Sequence, residues 1–177
     1  MILNLLSCLK PLGDFVMNRL ISFYLNEGPD KQGRTLAQIW ATSDDELMDT
    51  HDVVQWLFPL AEPSKFNPTS PVLTDKQIAA FHDDARLREN LLKSFCRFMQ
   101  VFGLAYIDGE VRQAAHKDIW LSLNHNWLRF TRILKSLTIL GLHDEAMAFF
   151  RFLEKKIGNA PSMSYWRNAV GLGTNRV

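Results

Sequence analysis

The sequence predicts an all-α fold: a single-domain, non-repeat helical bundle of about six to eight helices. Three observations predict it. Apolar residues recur at spacings of three and four, most clearly as Leu87, Leu91, Phe95, Phe98 and Phe102. Capping residues stand before these stripes, and glycine or proline follows them. Strictly alternating apolar and polar runs, the mark of a half-buried strand, are missing. The 177 residues suffice for one domain with a sizeable core, so 1–177 is read as one domain, with 172–177 as a loose tail. No self-similarity at about 30 to 45 residues points to a solenoid.

The elements follow in order. Asp14 caps a first helix over about 14–26, which turns Phe15, Leu20, Phe23 and Tyr24 inward. NEGPDKQGR (26–34) is a turn, punctuated by Gly28-Pro29 and Gly33. A short helix at 35–40 puts Leu36, Ile39 and Trp40 on one side. Ser43 caps a helix over 44–58, with Glu46 in the capping-box position and Asp44, Asp45 and Glu46 at the positive end of its dipole. Pro59 ends that helix. Residues 59–73 form a loop stiffened by Pro59, Pro63, Pro68 and Pro71 and pinned by Phe66, Val72 and Leu73. Thr74 and Gln77 open the next helix, about 75–102, with a kink expected at Asp83-Asp84. Residues 103–124 read as a loop and then a helical segment near 112–123, and whether they are lid or core stays open. Helices follow at about 125–140, ended by Gly141, at about 144–157, and at about 162–171 with Tyr165 and Trp166. Trp40, Trp56, Phe58, Phe66 and Trp166 are expected in the core.

Net charge is +1, so no global charge argues for nucleic acid or a membrane. The distribution is uneven: residues 1–75 carry 5 basic and 10 acidic side chains, and residues 76–177 carry 15 and 9. Either the two halves meet across the fold, or a basic face stays open for an anionic partner. Cys8 and Cys96 show no metal spacing, and free thiols suit a reducing compartment. MILNLLSCLKP lacks a basic n-region, and no run approaches the ~18 apolar residues of a membrane span. A soluble, cytoplasmic protein without membrane insertion is expected.

Two stretches could carry chemistry. In NHNWLRFTRILKSL (124–137), His125, Arg129, Arg132 and Ser136 fall within about 60° on a helical wheel, opposite Phe130, Ile133, Leu134 and Leu137. Two guanidiniums one turn apart can hold a phosphate or carboxylate. The alternative is a solvated face, or partners for the acids of 44–52. Asn126 lies toward the core side, where it would need hydrogen-bond partners. In HDVVQWLFP (51–59), His51 and Gln55 lie one turn apart, with Asp52 on a neighbouring face. The His-Asp doublet invites comparison with helical metal phosphohydrolases, but no histidine precedes His51, and His82-Asp83 repeats the doublet. Phosphate loops, the Gly-x-Ser-x-Gly elbow and His-Glu-x-x-His are missing, so no catalytic, metal or cofactor residues are assigned. Cys96, beside Phe95, reads as a buried structural thiol. Nucleic acid is not expected, because a second basic strip is lacking.

Both stretches lie in longer blocks. FYLNEGPDKQGRTLAQIW, DDELMDTHDVVQWLFPLAEPSKFNPTSPVLT, HNWLRFTRILKSLTILGL and SMSYW together resemble the conserved region of the opioid growth factor receptor family, over about residues 20–168. The HD-x-x-QWLFP and HN-x-LR-x-TRILKSL patterns, in that order, are the specific part. Animal members of that family are described as binding an enkephalin peptide and restraining growth at the nuclear periphery. Their long C-terminal extensions have no counterpart after the YW here, so a stand-alone, bacterial-type form of the domain is expected. The resemblance implies no catalytic residues. Its shared polar positions are His51, Asp52 and Gln55 in one block, and His125, Asn126, Arg129, Thr131 and Arg132 in the other.

The expectation is that His51, Asp52 and Gln55 face His125, Asn126, Arg129 and Arg132 at a polar seam where the acidic half meets the basic half. The seam is either structural or a site for an unknown peptide, protein or anionic ligand. A helical binding domain, with a homo-oligomer open to it, is the first reading. A hydrolase or transferase acting on a phosphorylated small molecule at the same seam is the alternative, and the balance leans away from an enzyme.

Overall fold

The computed structural model describes residues 19–65, 67–115 and 125–173. They form helix α1 (helical at 19–24), α2 (Leu36–Ala41), α3 (Asp44–Asp49), α4 (Val53–Leu57), α5 (Asp75–Asp83) and α6 (Ala85–Val101). A hairpin of β1 (Leu104–Ile107) and β2 (Glu110–Gln113) follows, then α7 (His125–Ile139), α8 (His143–Ile157) and α9 (Met163–Ala169). Cys8, Asp14 and Phe15, Phe66, the 116–123 part of the expected helical segment, and the tail from 174 lie outside the described residues. Among the described residues no helix is long and apolar enough to cross a membrane.

The long helices α6, α7 and α8 hold the centre. Their apolar faces supply a chain of edge-to-face rings: Phe102 to Phe130 at 4.9 Å and Phe130 to Phe149 at 5.4 Å, with Phe95 tilted against Phe149 at 6.0 Å. Such geometry aligns ring edges with ring faces and adds to the burial energy. Leu20, Phe23 and Tyr24 of α1 are buried in the same cluster, as are Trp56, Phe58 and Trp166. Trp40 departs from its expected core place. It is half-buried against the cluster, its Nε1 donates to Ser94 Oγ at 3.0 Å, and Lys93 Nζ lies 4.2 Å from its ring centroid.

The fold is mostly helical but not all-α, which corrects the predicted class. The residues after Gly103 make a two-stranded antiparallel sheet pairing Leu104 with Gln113 and Ile107 with Glu110. Asp108 (φ 52°) and Gly109 (φ 78°) form its turn, and positive φ at both positions is what a two-residue hairpin needs. Strands of four residues are too short to show an alternating pattern, so the Asp-Gly dipeptide was the signal available. The segment 103–113 therefore packs beside α6 and α8 as part of the structure, and residues 112 and 113 are strand rather than helix.

Two expected helices are each divided. The 75–102 helix breaks at Asp84, whose φ/ψ of −103°/112° is extended and whose Oδ1 accepts from Arg86 N at 2.9 Å, at the place the acidic doublet marked. The 44–58 helix also breaks, which was not expected. Thr50 is extended (φ −88°, ψ 95°), and its Oγ1 donates to Glu46 O at 2.7 Å, closing α3. Asp52 then precedes α4, held by Arg34 Nη2 at 2.5 Å. Arg34 Nε in turn donates to the fully buried Asp30 at 2.7 Å. In the loop 59–73, Leu73 is buried but Val72 is not, and Leu60 supplies the second anchor, with Leu73 N donating to Leu60 O at 2.9 Å.

Gly141 closes α7 with φ 90°. A β-carbon there would sit 3.2 Å from His82 Nδ1 and 3.3 Å from Arg88 Cδ, and the His82 Nε2 contact to Ile139 O at 2.9 Å depends on that space. Gly141→Ala is expected to cost about 1–3 kcal/mol through left-handed strain and crowding, read as a fall in the thermal midpoint. A neutral substitution would show that the α7 C-terminus relaxes freely.

Candidate functional site

Short helices leave most of their carbonyls without an internal partner. Here α2 to α5 have 6, 6, 5 and 9 residues. Their C-terminal ends are met by arginines projecting from α6 and α7. Arg97 donates to Trp40 O (3.0 Å) and Thr42 O (2.7 Å) after α2. Arg129 Nη2 donates to Met48 O at 2.7 Å in α3. Arg132 Nε donates to Phe58 O at 2.9 Å after α4, beside Ser136 Oγ to Pro59 O at 2.9 Å. Arg88 Nη1 donates to Phe81 O (2.6 Å) and His82 O (2.5 Å) at the end of α5. A cation at a helix C-terminus is favoured by both hydrogen bonding and the macrodipole. Among the described residues, Arg97, Arg129 and Arg132 of the basic half thus meet carbonyls of the acidic half, with Arg97–Asp44 and Lys135–Glu62, both at 2.7 Å, as carboxylate contacts.

Between α4, the loop 60–65 and α7 lies a cavity of about 730 Å³. Of the expected seam, His51, Gln55, Arg129 and Arg132 line it. Asp52 does not, because it turns to Arg34. Asn126 is buried behind the wall and accepts from Arg129 Nη1 at 3.4 Å. His125 is the first residue of α7, and its side chain lies outside the described residues. Thr131, a shared polar position of the family resemblance, lines it too; the rest of the lining was not read from the sequence, with Val54, Leu60, Pro63 and Leu128 apolar and Glu62, Ser64, Lys65 and Lys135 polar. The loop side chains reach the cavity only because the proline-rich stretch folds back over α7, and no local pattern encodes that.

The two arginines differ in how fully they are used. Arg129 is buried and engaged by Met48 O, Met48 Sδ and Asn126 Oδ1. Burial lowers its pKa, an effect partly offset by Asp49. Arg132 donates through Nε alone, and its buried Nη2 has no partner among the described residues. Burial pushes its guanidinium down to about 10, with only Glu62 acting in the other direction, so it stays charged at neutral pH in surroundings short of negative charge. Gln55 is the second such group. Its Nε2 donates to Ser64 Oγ at 3.1 Å, while the buried Oε1 has no partner among the described residues. Leaving a buried donor or acceptor unmatched costs about 1–3 kcal/mol, more for a charged group. The lining of the cavity therefore includes one residue with an unmatched donor, on α7, and one with an unmatched acceptor, on α4.

His51 Nδ1 lies 2.8 Å from Asp49 O. A carbonyl only accepts, so Nδ1 carries the proton in the neutral ring and Nε2 holds the lone pair. Among the described residues no group of three or more His, Cys, Asp or Glu is placed to hold a metal ion. His82, the second His-Asp histidine, is spent on Ile139 O. Cys96 is half-buried rather than buried, and desolvation raises its thiol pKa.

Residues 15–168 match the family model described as the opioid growth factor receptor conserved region. The opioid growth factor receptor of Mus musculus is 36% identical over 149 residues, which are 77% of this chain and 23% of that protein. The Homo sapiens receptor is 35% identical over 130 residues, 69% of this chain and 19% of that protein. Opioid growth factor receptor-like protein 1 of Mus musculus is 32% identical over 143 residues, 75% of this chain and 31% of that protein. The chain thus spans less than a third of the length of these relatives. No solved structure matches it.

Proposed function

This chain belongs to the family of the opioid growth factor receptor conserved region, and on that premise we propose that it is a binding domain that seats a peptide, a protein segment or an anionic small molecule in the α4–α7 cavity. The observation that carries this reading is the pair of unmatched buried atoms, Arg132 Nη2 and Gln55 Oε1, on residues lining one cavity. A ligand that matches them recovers a cost the unliganded protein carries. The cavity volume falls in the range that small-ligand sites occupy, and its lining combines the apolar side chains of Val54, Leu60 and Leu128 with directed polar groups. The test is a thermal-shift screen of the purified chain against short peptides, nucleotides and sugar phosphates. A ligand at 100 times its dissociation constant adds about 2.7 kcal/mol, a shift of several degrees. The expected result is a hit that disappears in Arg132→Met. A hit that survives that substitution, or a flat screen, counts against the reading.

The second reading is a hydrolase or transferase acting on a phosphorylated small molecule. It is favoured by one observation, that the carbonyl-anchored His51, a residue type able to act as acid or base, lines the same cavity as Arg132, a cation able to hold phosphate. Phosphate release from a sugar phosphate or nucleotide, lost in His51→Gln with binding retained, would favour this reading over the first.

A further inference from the structure

We propose that the α4–α7 cavity takes an acylamino carboxylate: a carboxylate set beside an amide N–H on an apolar body, as at the C-terminal end of a peptide or in an N-acyl amino acid. This deepens the binding reading above and rests on it. Arg132 is the cation. Its Nε is committed to Phe58 O, which leaves the Nη1–Nη2 end of the guanidinium for a ligand, and Nη2 is unmatched among the described residues. That end of the fork fits two carboxylate oxygens at once.

Gln55 narrows the class. The residue is 9% exposed, its Nε2 is committed to Ser64, and its Oε1 can be matched only by a donor. A simple fatty acid anion has no donor, and neither has a phosphomonoester dianion. An acylamino carboxylate carries both groups, separated only by the α-carbon. Charge points the same way. Arg129 is committed to Met48 O and Asn126, and Lys135 is paired with Glu62. With Lys65 exposed, Arg132 thus offers one half-buried charge, with Glu62 acting on it, which suits a monoanion better than a dianion. Val54, Leu60 and the 61% exposed Leu128 give the apolar body its seat. Both unmatched atoms are closed to water, so seating the ligand requires the Gln55 and Arg132 side chains each to shift toward the cavity.

The test is calorimetric titration of the whole chain, at mildly alkaline pH, with N-acetylleucine, N-acetylleucinamide, 4-methylpentanoate and methyl phosphate. N-acetylleucine is expected to bind, with the amide, the acid lacking N–H, and methyl phosphate each weaker by about tenfold or more. Gln55→Glu replaces the unmatched amide oxygen with a carboxylate in the cavity that Arg132 lines, and is expected to abolish binding while the chain stays folded. A tripeptide ending in leucine that binds more tightly than N-acetylleucine locates the source as a peptide C-terminus. Equal binding locates it as a small acylamino acid. The proposal is overturned if the amide binds as well as the acid, or if Gln55→Glu, still folded, binds N-acetylleucine unchanged. Methyl phosphate binding that Gln55→Glu removes, without N-acetylleucine binding, overturns the ligand class but leaves the cavity a site. No binding of any probe, together with a flat wider screen, overturns both.

Discussion

Trp166→Ala is expected to cost about 3–5 kcal/mol of folding stability, the range for deleting a buried large aromatic. Trp166 is fully buried in α9, a helix of seven residues with little stability of its own. Its ring lies 5.4 Å from Trp127 and 5.9 Å from Phe130, both on α7. Its Nε1 donates to Thr131 Oγ1 at 3.0 Å and weakly to Trp127 O at 3.4 Å. Truncation therefore removes the ring contacts and a buried donor together. A domain of ordinary stability, about 5–15 kcal/mol, would lose a large share of it. Trp166→Phe keeps most of the apolar contact and loses the N–H, so about 1–2 kcal/mol is expected. Urea unfolding of the two variants checks the ordering. Equal midpoints for Trp166→Ala and the parent would mean that α9 contributes nothing to the cooperative unit.

The two seam arginines are expected to separate in opposite directions. Arg129→Ala withdraws the donor from Met48 O and one donor from Asn126 Oδ1, and opens a cavity behind the wall. About 3 kcal/mol of lost stability is expected. Arg132→Met loses the bond to Phe58 O but also removes a desolvated cation with an unmatched Nη2. Replacing a poorly matched buried charge by an apolar side chain of similar length is often neutral, so stability within about 1 kcal/mol of the parent is expected. Ligand binding is expected to vanish in Arg132→Met all the same. Urea titration and the thermal-shift screen read the two effects separately. If both substitutions destabilise equally, Arg132 is a cap for α4 like its neighbour, and the seam is structural throughout.

Much of the fold was legible because its signals are local. The stripe Leu87, Leu91, Phe95, Phe98 needs only a period of 3.6 to be seen, and all four residues are buried. Thr35, Ser43 and Thr74 accept from the backbone N–H three residues on, as N-caps do. Gly141 ends α7 with the positive φ its position implied. The hairpin was missed because four-residue strands carry almost no periodicity, although Asp108-Gly109 marked its turn. The break at Thr50 was missed for a different reason. The apolar pattern runs through it, and what fixes Asp52 outside the helix is Arg34, eighteen residues away, anchored in turn on Asp30.

The candidate site divides along the same line. His51, Gln55, Arg129 and Arg132 could be picked out because two amphipathic segments each set polar residues together on one side. Which of them would be free for a ligand was not encoded in either segment. Arg129 and Arg132 are three residues apart on one helix, yet one meets α3 and the other the end of α4. The sequence by itself determined the long helices, the caps at Thr35, Ser43 and Thr74, the buried faces and the family. The tertiary structure alone decided that the arginines cap short helices, that Asp52 leaves the seam, and that the 60–65 loop closes a cavity over Arg132. Helical periodicity and capping are set by neighbours within about four residues, which a sequence displays. Which carbonyl an arginine reaches, and which atom is left unmatched, depends on how separate helices come to rest against one another.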